Sequence, residues 1–284
     1  MRKIIHAFLI LCVFSSCSHN IYEQLDWQGN KVTADGKIPE WPNPLRFFDD
    51  KSKINYTISN DRQNLYLCMK VFDETSQMKI LRGGLEFRID TLGKKLYPVA
   101  FIFPIANQVV MMQHKRNENQ TKKGPGEKPG RSAMNQKMLS LAKDIQLIGF
   151  KPPLGGTISL LSTSSGISAA IDIDSFGIMY YEAIIPFHTF YKNELSTTDT
   201  NKLFSYEIKI NALPEPPVHE GGGSGGKGMQ GGRGMQGSGM GGGHHGGGGG
   251  MHGGEHGGGG GYNPGNSGMY EKTDIKTKMR FSFK

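Results

Sequence analysis

His244, His245, Met251, His252 and His256 stand in a run that is otherwise almost all glycine, GGGHHGGGGGMHGGEHGGGGG over residues 241–261. Imidazole nitrogens and a thioether are ligands for Cu, Ni or Zn. Metal ligands must converge to about 2 Å from the ion. A glycine-rich chain has a root-mean-square span of roughly 5–6 Å × √n, about 15 Å between His245 and His252. Gathering these side chains costs ordering entropy, so a metal site here would be weak and adaptable. The same composition also reads as a hydrated low-complexity loop, disordered because it has nothing to bury. Both readings stay open at the level of sequence.

A second reactive position lies near the start. Arg2 and Lys3 precede the apolar run Ile4–Phe14, which is too short to span a bilayer as a permanent helix. The run ends in VFSSC, with Ser15 and Ser16 directly before Cys17. This resembles a bacterial lipoprotein signal, which implies that residues 1–16 are removed and Cys17 is acylated. Phe14 departs from the usual leucine three residues before the cysteine, and bulky Leu11 makes Cys12 a poor rival. Multiple acyl chains anchor a protein stably to a membrane. The alternative is a secreted protein cut nearby. Cys68, in LYLCMKV, then stands alone and reads as a small buried hydrophobe, with no disulfide within one mature chain.

No catalytic signature stands out: the chain has no His-Glu-x-x-His or phosphate-binding loop, and its one Gly-x-Ser-x-Gly match, at 222–226, falls within the glycine tract and not at a strand-to-helix turn. Glu86 and Asp90 share one face of a strand, and such neighbours are far more often surface carboxylates than a glycosidase pair. The expectation is a protein that binds rather than catalyses.

The 284 residues carry a formal charge of +8 and 41 glycines, about 26 of them within 221–261. Without that stretch the composition is that of one ordinary globular domain. Much of the positive charge falls in residues 114–137, HKRNENQTKKGPGEKPGRSAMNQK, broken by Gly and Pro and lacking any aromatic ring to stack on bases. It reads as a solvated loop and not a nucleic-acid site, with acidic polysaccharide or lipid head groups as the alternative contact.

The elements that must position these groups are strands. KINYTISNDRQNLYLCMKVFD reads as two strands about a turn at Asn60–Asn64, with Leu65, Leu67, Met69 and Val71 alternating. GGLEFRIDT, KLYPVAFIFP, QVVMMQHK, TISLLS, GISAAIDID, GIMYYEAIIPF, LFSYEIKINAL and KTKMRFSFK follow, with turns at Leu92–Lys95 and Asp174–Gly177. NQKMLSLAKDIQLIGFK reads as one short helix, or a helix running into a strand. The fold expected is all-β: an antiparallel, jelly-roll-like β-sandwich with one short helix and a long disordered Gly-rich loop. Its organisation is a leader (1–16), a polar tether (17–33) that contains Trp27, and the sandwich (34–284), interrupted by the low-complexity insertion 215–269.

The order DGKIPEW, DRQNLYLCMKVFD, GGLEFRID, YYEAIIPF, SYEIKIN resembles the family 9 carbohydrate-binding modules and their jelly-roll relatives. The motif positions are Asp35, Gly36 and Trp41; Leu65, Tyr66 and Asp73; Glu86 and Asp90; and Tyr181, Glu182, Ile185 and Pro186. The Asp-Gly pair suits a turn with positive φ. Trp41 is expected as a lid over one end of the sandwich, and Glu86 and Asp90 on the solvated face. The resemblance implies glycan binding and calcium held by acidic groups near such positions. It departs at the sugar site, because the mature chain offers only Trp27 and Trp41 and no spare pair to clamp a sugar. The resulting expectation is a lipid-anchored protein of the bacterial cell envelope, at the outer membrane, binding a glycan or another extracytoplasmic ligand. A surface or assembly accessory protein and metal capture by the tract are the other readings.

Overall fold

A computed structural model describes residues 23–105, 131–161, 164–215 and 268–284. The expected leader, Cys17, most of the basic loop, the expected strand QVVMMQHK and the glycine tract with its histidines and Met251 lie outside these residues.

The described chain folds as a two-sheet β-sandwich. In chain order its strands are β1 (Asp26–Trp27), β2 (Phe47–Asp49), β3 (Ile54–Asn60), β4 (Asn64–Val71), β5 (Leu85–Asp90), β6 (Val99–Phe103), β7 (Asp144–Ile148), β8 (Gly156–Ser159), β9 (Ser168–Ile173), β10 (Met179–Pro186), β11 (Leu203–Ile210) and β12 (Thr273–Arg280). Helix α1 (Glu74–Gly83) joins the sheets after β4, and α2 (Arg131–Leu141) precedes β7. Sheet one runs β1-β3-β4-β10-β9, with β2 sharing the edge of β3; sheet two runs β12-β11-β5-β6-β7-β8. Every named strand pairing is antiparallel except β1 with β3.

Alternation places the core. Leu65, Leu67 and Met69 of β4 and Tyr181, Ala183 and Ile185 of β10 meet Phe87, Phe101, Phe204 and Tyr206 of sheet two in one buried cluster. Phe103 and Tyr181 touch across the two sheets with ring centroids 5.8 Å apart. The outer faces differ in kind. On sheet two it is a charged ladder: Lys209 to Glu86 at 2.8 Å, Arg88 to Glu207 at 2.6 Å and Lys276 to Glu207 at 2.9 Å. On sheet one a second apolar cluster of Val32, Trp41, Leu45, Tyr66 and Cys68 covers the strands. Strand β4 is therefore buried on both sides, which is why NLYLCMKV reads as a nearly continuous apolar run.

Several expectations are corrected. The tether does not extend to residue 33: Leu25 and Val32 are buried, and β1 pairs with Ser59 and Asn60. Arg46 holds this segment by bonding Glu23 and Asp26 at 3.0 and 2.8 Å, a contact invisible in local sequence. The described residues hold two α-helices, not one. Asp73 caps α1 by accepting the Ser76 N–H at 2.7 Å, and Gly84, at φ 77°, ends it. Residues 131–137 of the expected basic loop form the first turns of α2. Trp41 lies over the outer face of sheet one and not over an end of the sandwich.

The two flanks of the glycine tract meet. Leu213 N–H donates to the Met269 carbonyl at 2.8 Å. Just beyond, the buried Lys79 ammonium of α1 donates to the Glu271 carbonyl and to Thr273 Oγ1, holding the start of β12. The insertion thus leaves and re-enters the domain at one closed point. Its cost is loop entropy, about 2 kcal/mol for lengthening a four-residue turn to fifty. Deleting residues 221–261 is expected to leave the melting temperature unchanged or raise it by about 3 °C. Thermal unfolding of the deletion variant checks this, and a loss of several degrees would show that the tract packs on the domain.

Candidate functional site

The outer face of sheet one is organised by a carboxylate. Glu182 of β10 sits opposite Cys68 of β4 and Ala170 of β9 and is fully buried. Its Oε1 accepts the Trp41 indole N–H at 2.7 Å. Its Oε2 accepts the backbone N–H groups of Gly36 at 2.8 Å and Asp35 at 3.2 Å. Burial pushes this carboxyl up from the usual carboxylate range, and the three donors oppose that push. Three N–H donors on two oxygens favour the ionised form, whose oxygens act only as acceptors.

The turn that supplies two of these donors has its own logic. Asp35 Oδ1 accepts the Lys37 N–H at 2.8 Å, an Asx turn. Gly36 adopts φ +82°, and a Cβ there would lie 2.6 Å from the Asp172 Cβ. Glycine is required both by the backbone conformation and by the close approach to β9. Four of the motif positions expected from sequence, Asp35, Gly36, Trp41 and Glu182, therefore form one polar joint that straps residues 35–41 across the sheet.

One row along the same face lies an open groove. Register places Lys70 of β4, Tyr180 of β10 and Asp172 of β9 side by side on adjacent strands. With Lys37, Ile38, Pro39, the edge of Trp41, Asn43 and Asp174 they line a hollow of about 480 Å³. Lys70 Nζ donates to Asn43 Oδ1 at 3.0 Å, and the Tyr180 hydroxyl donates to Asp174 Oδ2 at 2.9 Å. Asp174 Oδ1 also accepts the N–H groups of Phe176 and Ile178, both at 2.9 Å. Although burial opposes it, these bonds from Ile178, Tyr180 and Phe176 hold the Asp174 carboxyl below the usual range. Burial and the Asp174 charge push the Tyr180 hydroxyl up, so it stays protonated at neutral pH. The groove presents fixed donors and acceptors around one tyrosine.

Aromatic groups extend beyond the groove. Phe176 is 88 % exposed at the tip of the β9–β10 turn, and Phe72, 45 % exposed, follows β4 in the outward phase of Lys70. The two tryptophans do not form a pair: Trp41 is buried, and Trp27 packs on Phe283 with centroids 6.2 Å apart.

The remaining expected residues have structural employment. Glu86 takes Lys209. Asp90 is buried and not solvated; its oxygens accept the N–H groups of Leu92 at 2.8 Å and Leu96 at 3.0 Å, because the following loop folds back over it. Glu86 is engaged by Lys209 and Arg88, and Asp90 by backbone N–H donors, so the calcium site implied by the resemblance does not fit this pair. Among the described residues no group of three or more His, Cys, Asp or Glu side chains is placed to hold a metal. Cys68 is buried, and desolvation pushes its thiol well up, as expected of a small core side chain. Cys17, His244, His245, Met251, His252 and His256 lie outside the described residues. Lys70, Tyr180, Asp172 and Asp174 were not anticipated.

The joint makes a sharp prediction. A glutamine at position 182 has one acceptor oxygen, so its amide must face either the indole or the turn donors. Glu182→Gln is expected to cost about 2 kcal/mol, and Trp41→Phe, which removes one donor, about 1–3 kcal/mol. Urea unfolding of both variants checks this, and a Glu182→Gln protein as stable as the parent would show that the joint contributes nothing.

Comparison with protein-family models, curated proteins and solved structures returned no match.

Proposed function

We propose that the chain is a lipoprotein of the bacterial cell envelope, tethered through Cys17, whose sandwich binds a glycan without catalysis through the groove on sheet one. The observation that carries this reading is the row Lys70–Tyr180–Asp172. A cation, a phenol and a carboxylate on adjacent strands offer both donors and acceptors to sugar hydroxyls, and a tyrosine ring offers an apolar surface to C–H groups. A volume of about 480 Å³ falls in the range of small-ligand sites. The groove floor is rigid, because the Glu182 joint fixes the strap beside it, and a preorganised site loses less entropy on binding. Exposed Phe72 and Phe176 lengthen the surface available to an extended ligand.

The binding half is tested on a glycan array followed by titration calorimetry with the best hit. Tyr180→Ala or Asp172→Ala is expected to weaken binding by about tenfold or more, while Phe48→Ala, on the far edge strand, leaves it unchanged. Wild-type protein that binds no glycan, or a Tyr180→Ala protein that binds as tightly, overturns it. The anchoring half is tested separately by fractionation. Cys17→Ser is expected to move the protein from the membrane to the soluble fraction, and unchanged membrane retention places the anchor elsewhere.

A further inference from the structure

The loop between β5 and β6 presents an apolar surface that is held in place and not merely frayed. Leu92 is 69 % exposed and Leu96 71 % exposed, with exposed Lys94 and Lys95 between them. Beneath them the buried Asp90 fixes the loop through the N–H groups of Leu92 and Leu96. Gly93, at φ +65°, sits so close to β11 that a Cβ would lie 2.5 Å from the Leu203 carbonyl oxygen. Lys95 and Tyr97 also take positive φ, 62° and 49°, in a loop whose Tyr97 ring is buried beneath the Arg88 guanidinium. Non-glycine residues hold such φ values only where their surroundings impose them. The stretch TLGKKLYP contains no acidic side chain. Ile148, 48 % exposed at the end of β7, lies at the same end of the sandwich, where Gly149 abuts Pro98.

The start of the described chain lies at this end too. Asp90 pairs with Ser205, which puts Leu203 opposite position 92, and Leu203 pairs with Arg280. Arg280 in turn is bracketed by Glu23 and Leu25, through bonds of 2.9 and 2.8 Å. Three strand spacings of about 4.8 Å therefore separate Gln24 from Leu92, about 14 Å in all. From Glu23 to Cys17 the chain reaches at most about 20 Å. The ligand groove stands away from this end. Asn60 bonds Ser282 at 2.9 Å, which ties the β3–β4 hairpin to it, and Lys70 lies six residues farther along β4 than Asn64, about 20 Å.

We infer that the Leu92–Leu96 loop is a membrane-contact element, its leucines entering the interfacial layer of a bilayer while Lys94 and Lys95 meet anionic phosphates. The inference rests on the envelope reading above for its setting: a lipid on Cys17 holds this end near the bilayer, and the loop then fixes which end faces it and turns the groove outward. Apolar side chains flanked by lysines match an interface of acyl chains beneath anionic head groups.

The test uses the chain from Ser18 onward, which keeps every described residue and lacks both leader and Cys17. Co-sedimentation is measured with vesicles of phosphatidylcholine alone and of equal parts phosphatidylcholine and phosphatidylglycerol. The parent is expected to bind the anionic vesicles at least about tenfold more tightly. Leu92→Gln with Leu96→Gln weakens that binding by about tenfold or more, and Leu92→Met with Leu96→Met preserves it. Lys94→Gln with Lys95→Gln weakens it by roughly tenfold and removes the preference for anionic vesicles. All three double variants are expected to melt with the parent, because the altered side chains are exposed. A parent that does not bind anionic vesicles, a leucine-to-glutamine pair that binds as the parent does, or a lysine pair without effect overturns the inference. No chain in this assay carries Cys17, so failure of lipidation in cells and failure of the loop on vesicles are separate results.

Discussion

A charge buried between protein layers is tolerated only when its hydrogen bonds are complete, and on sheet one that charge is Glu182. Its two oxygens gather a turn and an indole, and in doing so they determine where residues 35–41 lie. That strap converts one outer face of the sandwich from a solvated surface into a second, smaller core, with Trp41 edge-on to Tyr66 at 6.4 Å. The groove exists because the strap ends where it does. The row of Cys68, Glu182 and Ala170 is covered, and the next row, Lys70, Tyr180 and Asp172, is left open beside it. Sheet two keeps a ladder of ion pairs on its outer face, which takes up its own buried carboxylate Glu207, while Asp90 is enclosed by the loop that follows it.

Much of the fold was legible because its signals are local. The segments of β3, β4, β5, β10 and β11 read as strands, β4 by its alternating Leu65, Leu67, Met69 and Val71, and the Asp-Gly, Asp174–Gly177 and Asn60–Asn64 turns carry their own chemistry in Asx bonds and positive φ. Helix α1 also left a local trace, an aspartate three residues before a serine with a glycine closing the segment, but it is short and sits between two strong strands. The incorporation of residues 23–33 could not be read locally. It depends on Arg46 reaching back to Glu23 and Asp26 and on edges of both sheets that are assembled from distant parts of the chain.

The candidate site was less legible for a related reason. Asp35, Gly36, Trp41 and Glu182 are separate motif positions in the sequence, and only the folded chain shows that the first three meet on the carboxylate of the fourth. The open row was missed altogether. Lys70 and Tyr180 are separated by more than a hundred residues, and their juxtaposition follows from the register Lys70↔Tyr180↔Asp172, which a shift of one residue would turn inside out. Asp90 shows the opposite error. Parity assigned it to the outer face correctly, but parity does not reveal that a loop will fold back and enclose it.

The segment from Glu23 to Trp27 has a mechanical meaning. Glu23 and Leu25 bond to Arg280 of one sheet, and the next residues, Asp26 and Trp27, run alongside Ser59 and Asn60 of the other. The chain thus stitches the two sheets together along their shared side with its first described residues. Any pull applied to the N-terminus is received by this seam before it reaches the core. Both contacts run parallel to their neighbours, so tension along the segment shears several bonds together instead of unzipping them one at a time. A protein held by its N-terminus against drag would therefore yield first at this seam, losing the seal between its sheets while each sheet remains intact.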